Sequence, residues 1–166
     1  MQTETIESTE NFTLFECFDI IYAIRTEVVR ENIAITDADV SGIAPFFRAD
    51  YSRGMVKVRG RIIGAFDFRK MIDPQRCVSE NQKLSREFGA ILMLEEKVTM
   101  LIFDSIKRVV IVNSDDIYDN SLDVTGLISR VAHITTDEMD SSGIMVKKEN
   151  TVFIIDDKKL AEILKL

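Results

Sequence analysis

Short apolar runs separated by polar turns dominate the chain, and the spacing of an amphipathic helix is weak over most of it. β-Branched and aromatic residues cluster in these runs, which is typical of strands. Four segments each show two apolar runs around exposed, flexible residues, the pattern of a β-hairpin. The predicted hairpins cover residues 13–24, 55–68, 90–103 and 144–155, with turns at 18–19, 59–61, 95–97 and 148–150.

The second and fourth predicted hairpins share their spacing. Each begins after a glycine, Gly54 or Gly143, and ends thirteen positions after it on an aspartate, Asp67 or Asp156, followed by a basic stretch. This match predicts an internal duplication of a hairpin–connection–hairpin unit. Because closing a sheet into a barrel removes its exposed edges, two small antiparallel barrels are the expected architecture.

The same patterns give a layout for the chain. A polar tail precedes one domain, whose duplicated halves flank a polar surface connection that opens with Asp73-Pro74 and has a helical turn near residues 83–88. Leu160, Ile163, Leu164 and Leu166 have the spacing of a short amphipathic helix, and residues 121–131 are either loop or helix. The segments are 1–10 (tail), 11–166 (domain), 11–72 and 89–156 (halves), 73–88 (connection) and 157–166 (C-terminal helix).

Composition narrows the classes of function. The 166 residues carry 21 Lys and Arg against 28 Asp and Glu, a net charge of −7, which disfavours nucleic acid and anionic membranes as partners. The first residues lack the basic and apolar regions of a signal peptide, and no apolar run is long enough to insert into a membrane. We expect a cytoplasmic protein in which Cys17 and Cys77 are free thiols, the alternative being a disulfide between them.

Candidate chemistry is sparse. The single histidine, His133, is flanked by apolar residues and is expected to be a packed or half-exposed strand residue. With two distant cysteines it gives no zinc-site pattern, and the glycines form no phosphate-binding loop. The acidic residues 137–140 lack the ligand spacing of a calcium loop and predict a solvated turn. We therefore expect no catalytic residues, no metal and no cofactor.

A basic cluster stands out in this acidic chain: Arg53, Lys57, Arg59 and Arg61 fall within nine positions. On a strand, Lys57 and Arg59 point to one side while Val56 and Val58 point to the core. One interpretation is a solvated outer face that protects a sheet edge. The other is a docking patch whose guanidinium groups bind carboxylates of a partner.

Residues 53–69, RGMVKVRGRIIGAFDFR, resemble the signature of CheW-like domains, which includes the motif N-L-R-G and ends on D-L-R. Three further motifs match in the same order along nearly the whole chain. They are Tyr22-Ala23-Ile24 followed by Val29-Arg30-Glu31, residues 101–106, and Ser142-Gly143 with residues 153–156 and Leu160.

The resemblance implies a mainly β fold of two five-stranded, SH3-like barrel subdomains with short helices. It also implies a noncatalytic adaptor that couples the cytoplasmic tips of chemoreceptors to a CheA-type histidine kinase in bacterial chemotaxis, at membrane-associated receptor arrays. Its partners are the regulatory domain of the kinase, through the barrel ends, and the receptor tip, in a groove between the barrels. We expect a single adaptor domain, without receiver, phosphotransfer or ATP-binding domains.

The resemblance also assigns residues. Arg59 and Gly60 match the R-G of the signature, Glu31 matches the acid of a V-x-E motif, and with Lys57 and Arg53 they form the expected partner-binding set. Asp67, Asp104 and Asp156, with Gly54 and Gly143, are expected to be structural, since a carboxylate that closes a strand can accept backbone N–H bonds from the next turn. Lys57 and Asn32 depart from the family's asparagine and isoleucine.

Two other functions compete with the chemotaxis adaptor. A CheW-like scaffold can serve another motility or polar-localisation system with a different client. Alternatively, the barrels bind a small ligand or form a small enzyme, which requires a concave pocket with convergent polar groups, for example around His133 and the acids at 137–140.

Overall fold

The computed structural model of the chain describes residues 7–36, 39–41, 51–79 and 87–166. Strands dominate this part of the chain, and the helices in it are short. The strands are β1 (Thr9–Cys17), β2 (Ile20–Arg25), β3 (Val29–Ile35), β4 (Val40–Ser41), β5 (Ser52–Val58), β6 (Arg61–Asp67), β7 (Glu87–Leu94), β8 (Lys97–Phe103), β9 (Ser105–Asn113), β10 (Ile117–Asp119), β11 (Ile128–Met139) and β12 (Met145–Ile155). The helices are α1 (Phe68–Ile72), α2 (Pro74–Ser79) and α3 (Asp157–Leu164).

Three of the four predicted hairpins are confirmed, each with a two-residue turn. Both turn residues have positive φ, the backbone of a type I′ turn, whose twist matches that of the strands it joins. The turns are Phe18-Asp19 (φ 53° and 62°), Arg59-Gly60 (47° and 81°) and Glu95-Glu96 (45° and 66°).

The fourth hairpin was placed wrongly. The predicted turn at residues 148–150 lies inside β12, where Lys148 pairs with Thr136 and Asn150 with Ile134 of β11. The true turn follows Asp140, whose carboxylate accepts hydrogen bonds from the backbone N–H groups of Ser142 and Ile144. This hairpin projects into solvent, so polar residues occupy strand positions and imitate a turn.

Two six-stranded sheets form the body, in the orders β10-β11-β12-β2-β1-β9 and β3-β7-β8-β6-β5-β4. The prediction of two mainly β subdomains is confirmed, but the sheets are not wholly antiparallel. β12 pairs with β2, and β6 with β8, in parallel. Each sheet has one very short strand at its edge: β10 has three residues and β4 has two.

The two strand orders correspond when β1–β6 are matched in sequence to β7–β12. Each sheet nevertheless combines strands from both halves of the chain, because the β1–β2 hairpin completes the sheet of β9–β12, and β7–β8 completes that of β3–β6. In this correspondence Asp67 matches Asp156. Gly143 matches the turn residue Gly60 rather than Gly54, as their φ values of 80° and 81° also indicate.

Three apolar clusters hold the fold together. One fills each barrel, around Leu14 and Val152 in the first sheet and around Val56 and Ile102 in the second. The largest lies between the sheets and includes the buried residues of α3. It contains Phe15, Phe68, Phe103, Leu160 and Leu164, among others.

The connection between the halves differs in part from its prediction. β7 begins at Glu87, so Phe88 belongs to a strand rather than to a helical turn, and residues 83–86 lie outside the described residues. Pro74 opens α2, a position that suits its fixed φ and missing N–H. Residues 121–127 are irregular before β11 begins. The C-terminal helix is present as α3.

At the other terminus, β1 begins at Thr9, inside the segment that was expected to be a tail. Among the described residues, no helix is long and apolar enough to cross a membrane.

Candidate functional site

The β5–β6 turn presents the central candidates to solvent. Arg59 occupies the first turn position, and 78% of its side chain is exposed. Gly60 follows with positive φ, and a Cβ there would meet no atom within 4 Å. Glycine is therefore favoured by its backbone conformation rather than by crowding. Arg59, Gly60, Lys57 and Glu31 belong to the expected partner-binding set, and we call these four residues the docking surface.

The docking surface joins the β5–β6 turn to β3, a strand that pairs with neither β5 nor β6. Glu31 lies on β3, at the opposite end of the second sheet from β5, and its Oε1 accepts a hydrogen bond of 2.8 Å from Arg59 Nη2. An exposed ion pair of this kind contributes little to stability, so a partner can replace it at small cost. Lys57 is exposed on the same hairpin, while Val56 is buried and Val58 half-buried, as the strand alternation predicts.

Arg53 lies apart from the docking surface. Its side chain is only 19% exposed, and Nη1 lies 3.0 Å from Asp67 Oδ2 and 3.1 Å from Glu87 Oε2. The structure thus separates Arg53 from the other members of the expected partner-binding set and places it in an internal network of ion pairs.

Asp67 is the centre of that network, which we call the strand-end network: Asp67, Arg53, Arg69, Glu87 and Asp104. The Asp67 carboxylate caps α1 by accepting from Arg69 N, and both its oxygens accept from the Arg69 guanidinium. Arg69 also donates to Asp104 Oδ1, at 3.0 Å. Asp104 in turn accepts from Phe18 N, at 2.8 Å. Through this chain of bonds the network joins the end of β6 to the β1–β2 turn.

The network lowers the pKa of the Asp67 carboxyl below its ordinary value of 3.8. Burial raises the pKa, but hydrogen bonds and positive charge from Arg69 and Arg53 outweigh it. The unfolded chain therefore takes up this proton at higher pH than the folded protein does. The stabilisation from Asp67 is complete well above pH 3.8 and is lost as the pH falls through the lower pKa of the folded state.

We expect this linkage to be measurable by urea unfolding between about pH 7 and about pH 3. The free energy of unfolding should fall toward acid pH in the parent protein, and this fall should be shallower in Asp67→Asn. Asp123 and Asp140, whose pKa values are also lowered, are present in both proteins, so their contribution to the pH dependence of stability is the same in both. Identical pH profiles for the two proteins would contradict the assignment.

The remaining structural candidates occupy three kinds of position. Asp156 caps α3 by accepting from Lys159 N, as Asp67 caps α1. Gly54 is buried in β5 with φ 128°, beside the bulge at Arg53. Gly143 lies in the β11–β12 turn, in open space.

His133 and the acidic residues are not assembled into a site. His133 is exposed on β11, with Nδ1 3.4 Å from Thr151 Oγ1. Asp137 and Glu138 belong to β11, and Asp140 orders the following turn. Among the residues that the structure describes, no group of three or more His, Cys, Asp or Glu side chains could hold a metal ion.

Cys17 is a free, fully buried thiol, and burial raises its pKa, so it is a poor nucleophile. The side chain of Cys77 lies outside the described residues.

Glu87 is a member of the strand-end network that the sequence pattern does not reveal. It was assigned to the surface connection, and its contact with Arg53, 34 positions away, depends on the tertiary fold. The strand-end aspartates were the available signal, because a buried carboxylate needs cationic or hydrogen-bonding partners.

Two mainly β subdomains with an exposed, charged turn define a class of small β-barrel domain. Within that class the match is specific: the family model of the CheW-like domain matches residues 11–165, so the chain belongs to the CheW-like domain family. Proteins of this family are noncatalytic scaffolds of chemotaxis that couple chemoreceptors and CheA.

The fold agrees with a solved structure. The scaffolding protein TtCheW from Thermoanaerobacter tengcongensis superposes with a TM-score of 0.66 at 18% identity, over 90% of each chain. At this identity the likeness establishes the fold. A search of curated protein sequences gave no significant match.

Proposed function

We propose that this protein is a noncatalytic adaptor that couples the cytoplasmic tip of a chemoreceptor to the regulatory domain of a CheA-type histidine kinase. The observation that carries the proposal is the family match over residues 11–165, on a chain whose R-G signature residues lie at an exposed turn. The docking surface contacts the kinase domain, and the protein acts at chemoreceptor arrays in the cytoplasm.

The chemistry of the docking surface supports a protein partner. Arg59 offers a planar, permanently charged guanidinium that can bind a carboxylate with two hydrogen bonds. Its ion pair with Glu31 is exposed, so releasing the guanidinium for a partner's carboxylate costs little. Lys57 adds positive charge on the same hairpin, where the family has a neutral amide, and this charge favours an acidic partner surface.

We expect Arg59→Ala to weaken binding of the kinase regulatory domain by roughly tenfold, because arginine anchors are frequent hot spots of interfaces. The midpoint of thermal unfolding should change little, since the ion pair that is lost is exposed. Isothermal titration of the purified proteins measures the first quantity and calorimetry the second.

Lys147→Ala is the matched control for this prediction. Lys147 is an exposed cation on β12, in the corresponding hairpin of the other sheet. Its removal makes the same change of net charge but should leave binding unaffected. Equal losses for the two variants would indicate a general charge effect, and unchanged affinity of Arg59→Ala would refute the role of the docking surface.

A CheW-like scaffold for another motility or polar-localisation system is the second candidate, favoured by the departure of Lys57 from the family motif. Affinity capture from the native organism distinguishes the two functions. The chemotaxis adaptor requires a CheA-type kinase among the captured proteins, whereas the alternative predicts a different client.

A further inference from the structure

The first sheet has two strand edges without a neighbour among the described residues. β9 pairs only with β1, so its other edge is open. β11 pairs with β10 only as far as Ala132, and residues 133–139 have β12 on one side alone. In the described part of the chain, the barrel is thus incomplete between β9 and the outer part of β11.

A cleft of about 610 Å³ separates these two edges, a volume within the usual range of ligand sites. Its walls are residues 108–113 of β9 and residues 133–135 of β11, with Asp116 and Glu149 beside them. Side chains of consecutive strand residues point to opposite faces. Every residue of both runs lines the cleft, whichever face of the sheet its side chain is on. The cleft is therefore bordered by the edges of the two strands, where their backbone groups lie. We call it the β9–β11 cleft.

Open strand edges are templates for another strand, since their N–H and C=O groups lack partners in the sheet. Apolar side chains lie along the cleft on both the inner and the outer side of the sheet, where they can contact both faces of such a strand. Val110 and Ile134 pack against the apolar cluster inside the barrel. Val109 and Ile111 are 57% and 72% exposed on the outer side of the sheet. A strand between the edges would therefore contact apolar side chains on each face.

We propose that the β9–β11 cleft binds an extended segment of a partner protein, in which apolar residues alternate with polar and basic ones, by strand addition. The bound segment pairs with β9 and β11 and closes the barrel. Asp116 and Glu149 in the lining outnumber Arg108, and the whole chain carries a net charge of −7, so basic residues in the segment are favoured.

This site is separate from the docking surface. The cleft belongs to the first sheet, whereas Arg59 and Glu31 belong to the second. Loss of either binding activity can therefore be measured without loss of the other, and the inference does not depend on the identity of the kinase or receptor.

The test uses the full chain and a synthetic probe of about eight residues, the length of a typical strand, in which valine alternates with lysine and threonine. The control probe has the same side chains but carries N-methyl groups on alternate backbone amides, which removes the hydrogen-bond donors along one of its edges and prevents it from pairing with both strands. Fluorescence anisotropy measures binding, and hydrogen exchange followed by NMR locates it.

We expect only the unmethylated probe to bind. It should slow exchange by about tenfold or more at those amides of residues 108–113 and 133–135 whose N–H groups point away from β1 and β12, into the cleft. Ile111→Lys should weaken binding by about fivefold or more, because it places a cation beside the basic residues of the added strand in place of an apolar contact. Ile62→Lys makes the same substitution at an equally exposed position of β6, 69% exposed, and should leave binding of the probe unchanged.

The proposal would be overturned if both probes bound equally or if protection were confined to other residues. Equal losses of affinity for Ile111→Lys and Ile62→Lys would also overturn it. Two other occupants give distinct results that also overturn it. A second copy of the chain would protect these amides in a concentration-dependent way without the probe. Occupation by residues 1–6 would be shown if the probe bound only after their removal.

Discussion

Phe103→Ala should lower the free energy of unfolding by about 3–5 kcal/mol, the largest effect that we expect from one substitution. Phe103 is fully buried on β8, and its ring stacks on Phe15 of β1 with centroids 4.3 Å apart. It also contacts Phe68 at the start of α1, at 5.1 Å. Truncation therefore leaves a cavity in the apolar cluster between the sheets, where strands from both halves of the chain meet.

Urea unfolding measures this effect, with Tyr118→Ala as control. Tyr118 is an aromatic residue on β10 whose side chain is exposed, so its loss should cost less than about 0.5 kcal/mol. Since each sheet combines strands from both halves, we also expect one cooperative transition for the parent protein. Similar losses for the two variants, or separate transitions for the halves, would contradict this packing.

Asp67→Asn should lower the free energy of unfolding by about 2–4 kcal/mol, because it removes the carboxylate that pairs with two largely buried arginines. Arg53 and Arg69 would keep Glu87 as a shared acidic neighbour, and Arg69 would keep Asp104. These remaining carboxylates limit the loss in the free energy of unfolding.

Asp156→Asn is the matched control, and thermal or urea unfolding measures both variants. Asp156 caps α3 as Asp67 caps α1, and asparagine is as good an N-cap as aspartate. The control therefore keeps the cap and should change stability by less than about 0.5 kcal/mol. If the two substitutions cost the same, the charge of Asp67 is not what stabilises the strand-end network.

The turns show which parts of the fold were predictable. Residues 18–19, 59–60 and 95–96 each interrupt two apolar runs, because strands on both sides of these turns bury one face. The β11–β12 hairpin lacks this contrast, since residues 145–149 of β12 are all exposed. Its true turn was marked instead by Asp140 and Gly143, a signal of backbone conformation rather than hydrophobicity.

The sheet topology could not be predicted from local patterns. The parallel pairs β2–β12 and β6–β8 join segments that are distant in sequence or cross between halves, and no spacing of apolar residues specifies them. For the same reason the sequence placed Arg53 beside Arg59 in one basic cluster. The bulge at Arg53 and the burial of Asp67 direct its guanidinium to the strand-end network instead.

The motif residues were more informative about the docking surface than composition was. Arg59 and Glu31 were selected by their resemblance to family motifs, and the structure brings them to 2.8 Å across the second sheet.

The central claim is that the protein couples a kinase to a receptor by surface complementarity. Its most direct test is a titration of the purified protein with a CheA regulatory domain, in the presence and absence of a receptor-tip fragment, followed by sedimentation. We expect binding to the kinase domain alone and a ternary complex when both are present, each reduced by Arg59→Ala. Absence of binding to either protein at concentrations that saturate a CheW-like domain from a chemotaxis system would contradict the account.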